Sequence, residues 1–261
     1  MFAKLLKHEM KATAGSIGLL SLAALGMGII GGIMMRYMVG AIGEQRMESF
    51  GGILTIFYVF IFLGLMAYSL GGELFLGYQF YKRKFTDQGY LTFTLPAHSW
   101  QIFLSSLVNI LIWSLIIMAV TAVSFISIFL IGFVGVPEIE EALSRINFSY
   151  EMEYLREDFD VVALIYGVVE FFTTTVTMMT CITLGSVLAK KHKIMASIGV
   201  YYVWTLIMGI ISTQLFGGAL LNSVEVDFSR VFLIEIALSL ATAMGGFLLS
   251  CWLMDKKLIL P

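Results

Sequence analysis

Residues 82–96, KRKFTDQGYLTFTLP, lie between two long apolar runs, and their reading decides how the rest of the chain is laid out. Lys82, Arg83 and Lys84 directly follow the first run, and basic residues at such a boundary predict the cytoplasmic side of a membrane. Thr86 or Asp87 can cap a short helix by accepting its free backbone N–H groups; Gln88, Gly89 and Thr92 continue the segment, and Pro96 ends it. Phe85, Tyr90, Leu91, Phe93 and Leu95 supply more apolar surface than a connection needs. An apolar helix held outside the lipid needs a protein groove, so the segment predicts a docking element for a soluble partner.

Working outward, the composition supports the membrane. The chain is 59% hydrophobic and 13% charged, against roughly 45–50% and about 25% in soluble domains. About 20 apolar residues cross the hydrocarbon, and that length predicts six spans near 14–35, 50–73, 100–134, 161–189, 194–217 and 231–254. The fold class expected is therefore an all-α membrane protein of one transmembrane domain. A signal peptide competes for the first run, but 24 residues from Ala12 to Met35 without a charge are too long for a signal core.

Charge orients the spans. Lys4, Lys7, Lys11, Lys82, Arg83, Lys84, Lys190, Lys191, Lys193, Lys256 and Lys257 fall in alternate connections or at the two ends of the chain. The other connections hold only Arg36, Arg46, Arg145, Arg156 and Arg230. The excess predicts both termini in the cytoplasm. Within residues 1–13, Phe2, Leu5, Leu6 and Met10 share one helical face and Lys4, Lys7, His8 and Lys11 the other, the pattern of a helix lying in the membrane interface with its lysines towards lipid headgroups. The outer segment 135–160 is acidic, with Glu138, Glu140, Glu141, Glu151, Glu153, Glu157, Asp158 and Asp160. It reads either as a solvated face or as an electrostatic mouth for cationic cargo.

Ionisable groups inside spans are costly, roughly 2.5–3.5 kcal/mol at mid-membrane, and point to function. Glu170 lies nine residues into span four, about 14 Å deep, with Thr174, Thr177 and Cys181 following at helical spacing. The stripe reads as a lining of a translocation path or proton site, or as an interhelical hydrogen-bond seam. Glu235 lies about 6 Å inside its span, where interfacial solvation is expected. Glu73 is deep if helix two runs on to Lys82, and at the boundary if it stops at Gly71 and Gly72. Gly28 and Gly32 form a small-xxx-small pair that suits a helix contact.

Catalytic chemistry is not indicated, and no enzyme activity is expected of the chain itself. A phosphate-binding G-x-x-x-x-G-K-[ST] loop is absent from the sequence, and its three histidines, 8, 98 and 192, are scattered. Glu140, Glu141 and Arg145 spell a motif of membrane-embedded proteases, but no suitable histidine follows it. Cys181 and Cys251 fall in apolar runs and read as buried hydrophobes.

LLKHEMKAT at residues 5–13 and FTDQGYLTFTLPAHSWQIFLSSLV at 85–108 resemble the membrane subunits of bacterial ABC-2 type exporters. The resemblance implies a permease of the plasma membrane paired with a second, identical or homologous subunit. Two copies of a separate ATPase would bind ATP and Mg, this chain holding no cofactor and no nucleic acid. By position, Phe85 to Pro96 would be the coupling helix and Phe2 to Lys11 the connector helix, with cargo moved outward. The acidic exterior is compatible with cationic peptides, with lipids and with drugs, and a peptide-like or amphipathic cargo is expected. The acidic segment after span three departs from the family, whose larger outer elements lie between spans five and six. A stand-alone secondary transporter using Glu170 as proton carrier is the alternative.

Overall fold

The computed structural model describes residues 2–43, 47–86, 89, 98–136, 161–189, 191–222 and 228–256, and their side chains except at 40–43, 47–51, 53, 215–222 and 228–230. Among these residues the regular structure is helical: α1 Phe2–Gly43, α2 Met47–Phe85, α3 Ser99–Phe133, α4 Val161–Leu188, α5 Lys193–Asn222 and α6 Phe228–Lys256. Six of these are long and apolar enough to cross a membrane, so the chain is a multi-pass membrane protein. Lipid cannot hydrogen-bond a backbone, so spanning segments satisfy their own N–H and C=O groups as helices.

One boundary differs from the sequence reading, and a second that the sequence left open is decided. The interfacial segment 1–13 and the first span are one uninterrupted helix of 42 residues, about 63 Å at 1.5 Å per residue. No proline falls between them, and an amphipathic pattern that gives way to an apolar one does not by itself end a helix. Likewise Gly71 and Gly72 do not end α2, which continues to Phe85. Glu73 is thereby placed 12 residues, roughly 18 Å, inside that end.

The helices divide into two compact units, one of Met1–Glu9, Gly77–Leu111 and Phe159–Pro261, the other of Met10–Leu76 and Ile112–Asp158. In the second unit α1 and α2 run antiparallel, since Ser21 bonds Tyr68 at 2.8 Å while Gly31 meets Ile61. Between α2 and α3, Ser114 donates to Glu73 at 2.8 Å and Phe62 meets Phe125 edge-on at 5.8 Å, again antiparallel. The glycine pair in α1 forms the contact its spacing suggested. A Cβ on Gly28 would stand 2.8 Å from the Ser124 backbone, and one on Gly32 would stand 2.7 Å from Ile131 Cβ. Ser124 also donates to the Ala24 carbonyl at 3.2 Å. Small residues permit that approach, which a larger side chain would prevent.

The first unit is built on α4, α5 and α6 together with the adjoining ends of α1, α2 and α3. Helices α4 and α5 form a tight antiparallel pair: Gly185 faces the Ser197 backbone so closely that no Cβ fits, and Ser197 reaches the Ile182 carbonyl at 3.3 Å. Helices α4 and α6 run parallel, as Tyr166 packs on Phe232, Thr173 on Ser239 and Thr180 on Ser250, in the same order along both helices. A ring cluster of Phe80, Phe85, Phe103 and Phe247 fills the core beside them.

Candidate functional site

Two polar constellations stand out inside the first unit, and both depend on acids placed on otherwise apolar helix faces. Glu9 follows Phe2, Leu5 and Leu6 on the inward face of α1, and it is buried. Lys84 meets it at 2.7 Å, both side chains almost fully enclosed. Ser106 donates to the same carboxylate oxygen at 2.9 Å, and Ser105 stands at 3.5 Å. Arg83 donates to the Glu9 carbonyl at 3.1 Å and to Gln79. A buried charge is tolerated when it is paired and hydrogen-bonded. One acid thus clamps the start of α1 to the end of α2 and the start of α3.

Further contacts gather at the same end. Lys193 of α5 donates to the Phe85 carbonyl at 3.4 Å, and Ser99 of α3 bonds Asp255 of α6. The helix ends that carry the lysine clusters therefore lie together in one unit.

The basic cluster divides by burial. Lys82 is exposed and Arg83 half-buried, as headgroup contact would allow, whereas Lys84 is only 2% exposed and is committed to Glu9. Phe85, expected on the docking surface, is instead buried against Phe80 and Tyr81. Thr86 donates back to the Lys82 carbonyl and so closes α2, and Gly89 N–H bonds the Thr86 carbonyl at 2.7 Å in a turn. The remaining docking residues, Asp87, Gln88, Tyr90, Leu91, Thr92, Phe93, Leu95 and Pro96, lie outside the described residues, as does the acidic segment from residue 137 to 160. In the connector, Lys4, Lys7 and Lys11 are exposed while Phe2, Leu5, Leu6 and Met10 are half-buried, the two faces the spacing indicates.

The second constellation is a cleft of about 260 Å³ among α4, α5 and α6. Glu170, Thr174 and Thr177 from α4 all line it, whereas Cys181, the last member of the stripe read from helical spacing, is buried and does not. Ser239 of α6 donates to Glu170 Oε2 at 2.8 Å, and Thr174 reaches Oε1 only at 3.5 Å. Tyr201 and Trp204 of α5 and Glu235 of α6 complete the wall.

Glu235 is not solvated at an interface, as its position near the helix start suggested, but 5% exposed. Its burial follows from the parallel register of α4 and α6, which the sequence does not print. Glu9 likewise escaped the sequence reading; an acid among apolar residues at positions 2, 5, 6 and 10 was the available signal. Among the described residues no group of three metal-ligating side chains converges. No family model, curated protein or solved structure matches the chain.

Proposed function

We propose that the chain is the permease subunit of an ATP-driven exporter, in which residues 85–96 receive the motion of a separate ATPase and the Glu9 clamp passes it to α1. The observation that carries this reading is the clamp itself. The two helices that flank the docking segment, α2 and α3, are both tied to the first turns of α1 through one buried carboxylate. A push on the segment is thus delivered to three helices together and not absorbed by a slack loop. The resemblance supplies the partner: two ATPase copies holding ATP and Mg, with a second permease subunit, in a bacterial plasma membrane with the lysine-rich end inside. Cargo moves outward.

Co-expression with a neighbouring ATPase and co-purification tests the reading. Tyr90→Glu with Phe93→Glu abolishes co-purification, because two charges enter an apolar interface. Lys84→Met leaves co-purification intact and removes ATPase stimulation. Retention of both properties in both variants contradicts the proposal. The placement of Glu170 in a polar cleft favours one second reading, a proton-coupled carrier. That reading requires transport driven by a pH gradient without ATP and lost in Glu170→Gln.

A further inference from the structure

We propose that the cleft among α4, α5 and α6 binds an organic cation through an ammonium or guanidinium head that donates hydrogen bonds to Glu235 and Glu170. As a statement about cargo the proposal rests on the transport reading above; as a statement about binding it stands on the cleft alone.

The decisive group is Glu235. It is 95% enclosed, lines the cleft, and its Oε1 accepts no hydrogen bond from any described residue. A buried carboxylate oxygen left without a donor is costly, and a native structure that keeps one invites a ligand that brings the donor. Glu170 has spare capacity too, one oxygen taken by Ser239 at 2.8 Å and the other with only the long 3.5 Å approach of Thr174. Because Tyr166 packs on Phe232 and Glu170 on Ser239, Glu235 falls between those two levels of α6, within about a helical turn of Glu170 along the axis.

The rest of the wall selects the kind of cation. Among the described residues no lysine, arginine or histidine lines the cleft, so none of them neutralises the two acids. Tyr166, Tyr201 and Trp204 present aromatic rings, and such rings attract ammonium and guanidinium groups by their negative faces. The 260 Å³ volume far exceeds the ~10–15 Å³ that one water requires, so the site has room for a ligand body behind the charged head. A bare metal ion is a poorer occupant, since no third metal ligand converges with the two carboxylates among the described residues.

The test uses the full chain in nanodiscs of zwitterionic lipid, titrated with benzylammonium chloride and followed by tryptophan fluorescence, with Trp204→Phe identifying the responding residue. Benzyl alcohol serves as the neutral probe of the same shape, and sodium chloride at matched ionic strength as the inorganic cation. The proposal expects a saturable change with benzylammonium alone, a Kd raised at least about tenfold in Glu235→Gln and in Glu170→Gln, and no change in Ser127→Ala. An equal response to benzyl alcohol, a response to sodium chloride, or unaltered affinity in both glutamine variants overturns it. If neither glutamine variant folds, the comparison of the three probes on the native chain decides. No ATPase enters the measurement, so a failed partner assay and a failed binding assay are separate results.

Discussion

At the scale of single residues, the buried acid of α1 holds the start of α1, the end of α2 and the start of α3 together. Glu9 lies where water cannot stabilise it, and Lys84 and Ser106 replace the water. Removing one member of such a pair strands the other, which typically costs about 3–5 kcal/mol, whereas replacing both by neutral groups of similar size is far milder. Lys84→Met is therefore expected to lower the thermal unfolding midpoint in detergent strongly, and Glu9→Gln with Lys84→Met to recover most of the loss. Additive losses in the double variant would contradict the pairing. Gly185 gives a second test at this scale. A methyl there meets the Ser197 backbone, so Gly185→Ala is expected to cost about 1–3 kcal/mol, while Gly199→Ala, with open space around it, leaves the midpoint unchanged.

At the scale of elements, α1 is one unbroken helix from Phe2 to Gly43. Ala14→Pro interrupts it between the clamp and the first span, removing a backbone hydrogen bond at a cost of about 3 kcal/mol. If α1 transmits as a lever, the variant keeps its ATPase partner and loses stimulation of ATP hydrolysis. Retained stimulation would show that α1 is not the transmitter. The six spans were legible in sequence because each is an apolar run long enough for the hydrocarbon, and the Gly28 and Gly32 contact because small residues recur at one-turn spacing. The continuity of α1 and α2 was not, since neither a fading amphipathic pattern nor a glycine doublet has a fixed structural outcome. Of the candidate cleft, Glu170, Thr174 and Thr177 could be grouped because they share one helix. Glu235 joins them through helix register, and Lys84 finds Glu9 across 75 positions of chain. Such pairings come from packing and leave no local mark.

At the scale of the whole molecule, the account turns on which side of the membrane the lysine-rich helix ends occupy. Contacts from α1, α2, α3, α5 and α6 bring those ends into a single unit, and the proposed docking segment joins two of them, the end of α2 and the start of α3, in sequence. An ATPase can act on it only from the cytoplasm. The direct measurement is labelling by a membrane-impermeant maleimide of single cysteines at Gln88 and at Ser149, in a chain with Cys181 and Cys251 replaced by alanine. The account predicts that Gln88→Cys is protected in intact cells and labelled in inverted vesicles, with Ser149→Cys showing the reverse. Labelling of Gln88→Cys from outside intact cells, or its protection in both preparations, would contradict it.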